Sequence, residues 1–300
     1  MNGLRAGREP GPVATLERRV PEPARPARAV PAHELRGLKV VWRRELIRFF
    51  EDRPRILSSL LQPLMFLFVL GTGLSRLVSR GTGGLSLRTF LFPGVLAMST
   101  MFTAIFSAGS IVWDREFGFL REMLVAPVRR GTVVVGKCLG GATVATFQGL
   151  VVLCLTGLVD VPYRPTLLLT LAGELLLLSF TLTAFGVMLA ARMRNIQTFF
   201  ALTQMFLMPM FFLSGALYPL SDLPTWLTVL TRVDPLTYVV DPMRRAVFGA
   251  LEVPAGVREV LSGGVTWGGW TVPVGVELLL VAGFGLLFLL VATAEFARPE

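Results

Sequence analysis

Gly131-Thr-Val-Val-Val-Gly136-Lys137-Cys138 is the stretch of this chain closest to a catalytic motif. A phosphate-binding loop of the form GxxxxGK[ST] cradles phosphates with backbone N–H groups and a lysine, and holds magnesium with a Ser or Thr hydroxyl. Cys138 replaces that hydroxyl, and a neutral thiol is a poor ligand for a hard cation. The glycines also open an apolar stretch, with no alternating strand and helix pattern behind them. The chain is therefore expected neither to bind nor to hydrolyse ATP by itself. His33 stands in a polar segment without other ligands at metal-site spacing, so no metal is expected. Cys138 and Cys154 both lie in one apolar run, where small packing residues are expected rather than a disulfide.

The elements that hold these residues are dominated by apolar length. Six stretches, at about 56–74, 89–112, 133–159, 167–190, 198–220 and 274–296, each approach or exceed the roughly 20 residues that a bilayer-crossing helix needs. The composition agrees: 53% of residues are hydrophobic, 16% are charged and the mean hydropathy is +0.65. The fold class is an all-α integral membrane protein with six spans, leaving little chain for a soluble catalytic domain.

The net charge of +9 raises the question of nucleic acid, and its distribution answers it. Thirteen of the 29 Lys and Arg precede the first stretch, and the loops on that side, with Lys137 at the start of the third stretch, bring the total to 21. By the positive-inside rule both termini face the cytoplasm. The basic excess is a topology signal with some attraction to anionic lipid, and no nucleic-acid partner is expected. Trp42 and Trp113 fall at inner boundaries, and Tyr163, Tyr218, Trp226, Tyr238, Trp267 and Trp270 fall toward the outer side, as an aromatic belt would place them.

Residues 1–32 are rich in Pro, Arg and Ala, and read as a disordered cytoplasmic tail. Residues 33–55 follow, with Leu35, Leu38, Trp42, Leu46 and Phe49 at helical spacing, as an amphipathic helix along the inner membrane surface. A second amphipathic helix is expected from Asp114 to Ala126, with Phe117, Leu120 and Leu124 on one face and Pro127 as its stop. Periodicity alone leaves two readings open for it, a shield of the inner loop or a surface that docks into a partner.

The run WDREFGFLREMLVAPVRRGTVVVGKCLGG, followed by FFLSGALYPLSDLPTWLTVLTRVDPLTYVVDPMRRAVFG, resembles the membrane permease of type-2 ABC exporters, in the branch that includes daunorubicin-resistance and nodulation lipooligosaccharide permeases. The resemblance extends from Leu35 to the C-terminus. It implies a half-transporter: two six-span permeases, as a homodimer, with two cytoplasmic ABC ATPase subunits that bind ATP and magnesium. The helix from Asp114 would then be the coupling helix, anchored by Phe117, Leu120 and Leu124 and rimmed by Glu116, Arg121 and Glu122. The resemblance also implies a re-entrant helix pair between spans five and six, where Pro224, Pro235 and Pro242 divide the chain into pieces too short to cross.

In that family spans two and five face the central cavity, which would place Met98, Phe102 and Phe106 opposite Met205, Met208 and Phe212 as a surface for a drug-like amphiphile or lipid-linked cargo. Helix packing or lipid contact is the other reading of these stripes. Glu174, seven residues into span four, is a pathway candidate or a carboxylate reaching the headgroups. Glu277 is expected at the interface, Gln148 and Gln204 in interhelical hydrogen bonds, and Gly136 and Gly140 in packing within the subunit. A secondary transporter or other polytopic protein without an ATPase partner is the alternative function; an intramembrane enzyme would need convergent catalytic groups, and the spans contain no His and no Asp.

Overall fold

The computed structural model describes residues 31–73, 86–119, 128–221, 223–251 and 263–297. Helix α1 (Pro31–Glu51) ends at Asp52, whose carboxylate accepts from the Arg55 N–H at 3.2 Å and so caps the next helix. Six helices are long and apolar enough to cross a membrane: α2 (Arg53–Gly73), α3 (Leu87–Glu116), α4 (Arg130–Leu153), α5 (Pro165–Arg192), α6 (Ile196–Leu213) and α9 (Val274–Ala297). Between α6 and α9 lie the short helices α7 (Thr225–Val233) and α8 (Thr237–Ala250). They are followed by a two-stranded ribbon, β1 (Thr266–Trp267) and β2 (Trp270–Thr271), closed by Gly268 and Gly269 at positive φ. This ribbon is the only strand pairing among the described residues.

Helix α3 is the most buried of the six and packs on α4 and α5, while α5 packs most extensively on α9. The shared core holds Leu96, Met101, Ile105, Leu171, Leu182 and Val281. Helices α2 and α9 keep largely exposed apolar faces, as lipid permits.

Three expectations from the sequence change here. Span five stops at Leu213, seven residues before the expected end, because Gly215 turns the chain at φ +73°. The expected helix from Asp114 to Ala126 is not continuous: Asp114 to Glu116 form the last turn of α3, and Gly118 at φ +82° breaks the path. Leu120, Arg121, Glu122 and Leu124 lie outside the described residues. The amphipathic helix α1 runs lengthwise beside α4, with Glu34 bonded to Thr132, Trp42 to Thr143 at 3.1 Å and Phe50 edge-on to Phe147. Gly136 and Gly140 make this approach possible, because a Cβ there would lie 3.0 Å from Val41 and 2.7 Å from Glu45. The small-residue face of α4 thus packs within the subunit, as expected.

Candidate functional site

Three consecutive residues at the end of α3 organise the pole that carries α1 and the α5–α6 turn. Asp114 is buried, and its carboxylate accepts from Lys137 Nζ at 2.6 Å and from Arg44 at 3.1 Å, with Arg48 at 3.7 Å. The Lys137 ammonium, also buried, donates to Glu45 at 2.8 Å and to Ser110 at 3.1 Å. Lys137 therefore serves as the centre of an ion cluster between α1, α3 and α4. Removing one member of such a cluster leaves uncompensated charge in low dielectric.

The next two residues grip the α5–α6 turn. Arg115 Nη1 donates to the carbonyls of Ala190, Ala191 and Met193 at 3.3, 3.0 and 2.7 Å, and its guanidinium lies 5.5 Å from the Phe296 ring centroid. Glu116 accepts from the Ile196 N–H, the first of α6, at 3.0 Å. A cation at the C-terminus of α5 and a carboxylate at the N-terminus of α6 each match the local helix dipole. Glu116 was expected on a partner-facing rim, and this bond turns its carboxylate toward the chain's own α6. Around it, Trp113, Phe117 and Phe119 are 42%, 57% and 49% exposed, with the Trp113 and Phe117 rings tilted at 38° to each other and 4.9 Å apart between centroids.

A second centre lies within the spans. Pro63 in α2 lacks the N–H that would bond the Ser59 carbonyl, and Gln148 Nε2 donates to that carbonyl at 3.1 Å. Gln148 Oε1 accepts from Ser59 Oγ at 3.0 Å and from Thr103 Oγ1 at 2.8 Å, so one amide joins α2, α3 and α4. This is the interhelical role expected of it. Beside it is a cavity of ≈280 Å³ that Met98, Phe102, Phe106, Gln62 and Arg55 help to line. A cavity of ≈470 Å³ shares Phe49, Arg55 and Phe106 with it and reaches Glu45, Arg48 and Asp52.

The stripe on α3 thus faces a polar-edged cavity, but the stripe on α6 does not join it within one chain. Met205 lines a separate apolar cavity of ≈450 Å³ with Phe185, Phe206 and Asp234, while Met208 and Phe212 are exposed. Only Phe106 reaches across, meeting Phe200 at 5.5 Å. Glu174 is buried, lines none of these cavities and has one oxygen without a partner. Glu277, expected at the interface, is instead fully buried and paired with Arg245 at 3.3 Å; Arg245 also holds Asp241 at 2.6 Å. Tyr238 likewise leaves the expected aromatic belt: it is buried, and its hydroxyl donates to the Arg232 carbonyl at 2.6 Å.

Depth along the helices follows from the Ser59–Gln148–Thr103 contact, which places those residues on one level. At 1.5 Å per residue Arg53 lies about 9 Å from that level, Glu116 about 20 Å and Arg130 about 27 Å. Both roots of the loop between α3 and α4 therefore stand beyond the start of α2.

Sequence reasoning missed Asp114, Arg115, Glu45 and the structural use of Lys137. The signal was present: three successive charges closing an apolar run point to three sides of a helix, and each needs a partner.

Among the described residues no group of three or more His, Cys, Asp or Glu could hold a metal ion. Residues 36–248 match the family model of the ABC-2 type transporter. Nodulation protein J of Rhizobium leguminosarum bv. trifolii is 31% identical over 227 residues, which cover 74% of this chain and 84% of that protein. The putative transport permease ycf38 of Cyanophora paradoxa is 27% identical over 70% of this chain and 73% of its own length. The probable multidrug ABC transporter permease YbhR of Escherichia coli K12 is 30% identical over 52% of this chain and 43% of its own. With six membrane-length helices and a family match over most of its length, the chain belongs to the ABC-2 type transporter family, as a multi-pass membrane permease.

Proposed function

We propose that this chain is the membrane half of an ATP-driven exporter in the branch of daunorubicin-resistance and nodulation permeases. Two copies form the pathway, two separate ATPase subunits bind ATP and magnesium, and both termini are cytoplasmic. The loop between α3 and α4 docks into the ATPase, with Phe117, Leu120 and Leu124 as anchors and Arg121 and Glu122 at the rim. Helices α7 and α8 form the outer re-entrant cap; α8 is almost wholly buried against α3, α5 and α9, which supports that placement. The cargo is a drug-like amphiphile or lipid-linked molecule. It is received by the Met98, Phe102 and Phe106 face and by Met205, Met208 and Phe212, with the α6 stripe completing the pathway across the pair of subunits.

The observation that carries this reading is the cluster of exposed Trp113, Phe117 and Phe119 rings at a loop root about 10 Å beyond the start of α2. Apolar rings held clear of that level have a use as a partner's contact surface and little as a cover for the inner loop. Leu120→Asp tests it. In a desolvated partner pocket the new carboxylate costs several kcal/mol of association, whereas in water or headgroups it costs little. Membrane insertion should survive while co-purification of the ATPase is lost. A variant that inserts and retains its ATPase as the wild type does would mean that the loop is a shield.

A further inference from the structure

We infer that Arg115 and Glu116 are positioning residues which make the start of α6 move with the loop between α3 and α4, so that ATP-driven displacement of the loop reaches the α6 face through the α5–α6 turn. The inference rests on the docking role proposed above for that loop. Three neighbouring side chains reach five other helices. Asp114 is held by Lys137 of α4 and Arg44 of α1, Arg115 by the last carbonyls of α5 and the Phe296 ring of α9, and Glu116 by the first N–H of α6.

Gly118 lies two residues on, at φ +82°, so the helical path of α3 breaks there while the triplet remains part of α3. Only Asn195 caps α6 from its own turn, through Gln197 and Thr198 N–H; the Ile196 N–H is satisfied from α3. The hydrogen bonds from α3 therefore take hold of both sides of a turn whose middle is Met193 to Asn195. Shifting the last turn of α3 without shifting the α5–α6 turn would leave the Ala190, Ala191 and Met193 carbonyls and the first α6 N–H without these partners.

The test uses the full-length permease purified with its ATPase from membranes. Cys138 and Cys154 are replaced by alanine and Ala201→Cys on α6 serves as the reporter. The rate of maleimide labelling is compared without nucleotide and after trapping with Mg–ATP and vanadate. Wild type should show a nucleotide-dependent change in rate. Arg115→Met should keep the ATPase bound but reduce that change at least fivefold. Arg115→Lys should restore most of it, because one nitrogen makes all three carbonyl contacts and an ammonium can replace it.

Glu116→Ala and Glu116→Gln form an independent pair, since the amide oxygen still accepts from Ile196. Recovery with Gln but not Ala supports the inference should Arg115→Met fail to accumulate. A full nucleotide response in an accumulating Arg115→Met or Glu116→Ala variant overturns it. Loss of response without rescue by Lys or Gln also overturns it, as a merely structural defect would do this. Absence of any ATPase from the wild-type preparation would instead overturn the docking role, and the inference with it.

Discussion

Lys137 holds two buried carboxylates together, and its removal is the sharpest single-residue test of the pole that carries α1. Lys137→Met leaves Glu45 and Asp114 without the ammonium that bridges them, although Arg44 and Arg48 still approach Asp114. Breaking a buried pair costs about 3–5 kcal/mol, so the thermal midpoint in detergent should fall clearly. An unchanged midpoint would contradict the cluster. Gln148→Leu is milder, because interhelical hydrogen bonds in membranes average about 0.6 kcal/mol each; a loss of about 1–2 kcal/mol is expected. Adding Pro63→Ala restores an N–H for the Ser59 carbonyl and should recover part of that loss. At this scale the sequence was half legible. A mid-span amide announces an interhelical bond, whereas which hydroxyls and which freed carbonyl it meets depends on helix rotation, which no local pattern encodes.

Among the elements, the spans were readable because apolar length is a one-dimensional property. Breaks and partners were less so: the Phe117, Leu120, Leu124 spacing reads straight through Gly118, although a glycine inside a helical pattern is itself a warning. The course of α1 along α4 was written in Gly136 and Gly140, but it took the facing helix to say what sits there. Gly140→Val should therefore loosen α1, raising protease cleavage near Asp52 several-fold; unchanged cleavage would argue against this packing. Between α7 and α8, burial pushes the Asp234 carboxyl up from 3.8 to about 8, while one oxygen accepts from the Leu236 N–H at 3.0 Å. A raised folded pKa means that the folded chain holds a proton the unfolded chain has released. The site is penalty-free below about pH 4, loses stability as pH rises, and bears the full penalty above about 8. Asp234→Asn keeps the bond to Leu236, so its thermal midpoint should exceed wild type at pH 9 and converge with it at pH 4. Parallel midpoints across that range would refute the assignment.

For the molecule as a whole, the test is sidedness. With α1 and the α5–α6 turn on the cytoplasmic face, Lys39→Cys should resist an impermeant maleimide in intact cells and Thr266→Cys should react, both in the background lacking Cys138 and Cys154. The reverse pattern would invert the topology. Charge counting is the ground for this expectation, because Lys and Arg sort by side regardless of tertiary detail. The burial of Glu277 was not legible, since it depends on Arg245, 32 residues earlier in the chain. That separation also bears on biosynthesis. A ribosome delivers Glu174, then Asp241 and Arg245, and only afterwards Glu277 and the α9 face that packs on α5. Until α9 has entered the bilayer, the pole that carries α8 contains a guanidinium short of one carboxylate and an α5 surface awaiting its principal neighbour. A chain truncated before Val274 should therefore be degraded faster in the membrane than the full-length chain, a difference that a pulse-chase would measure.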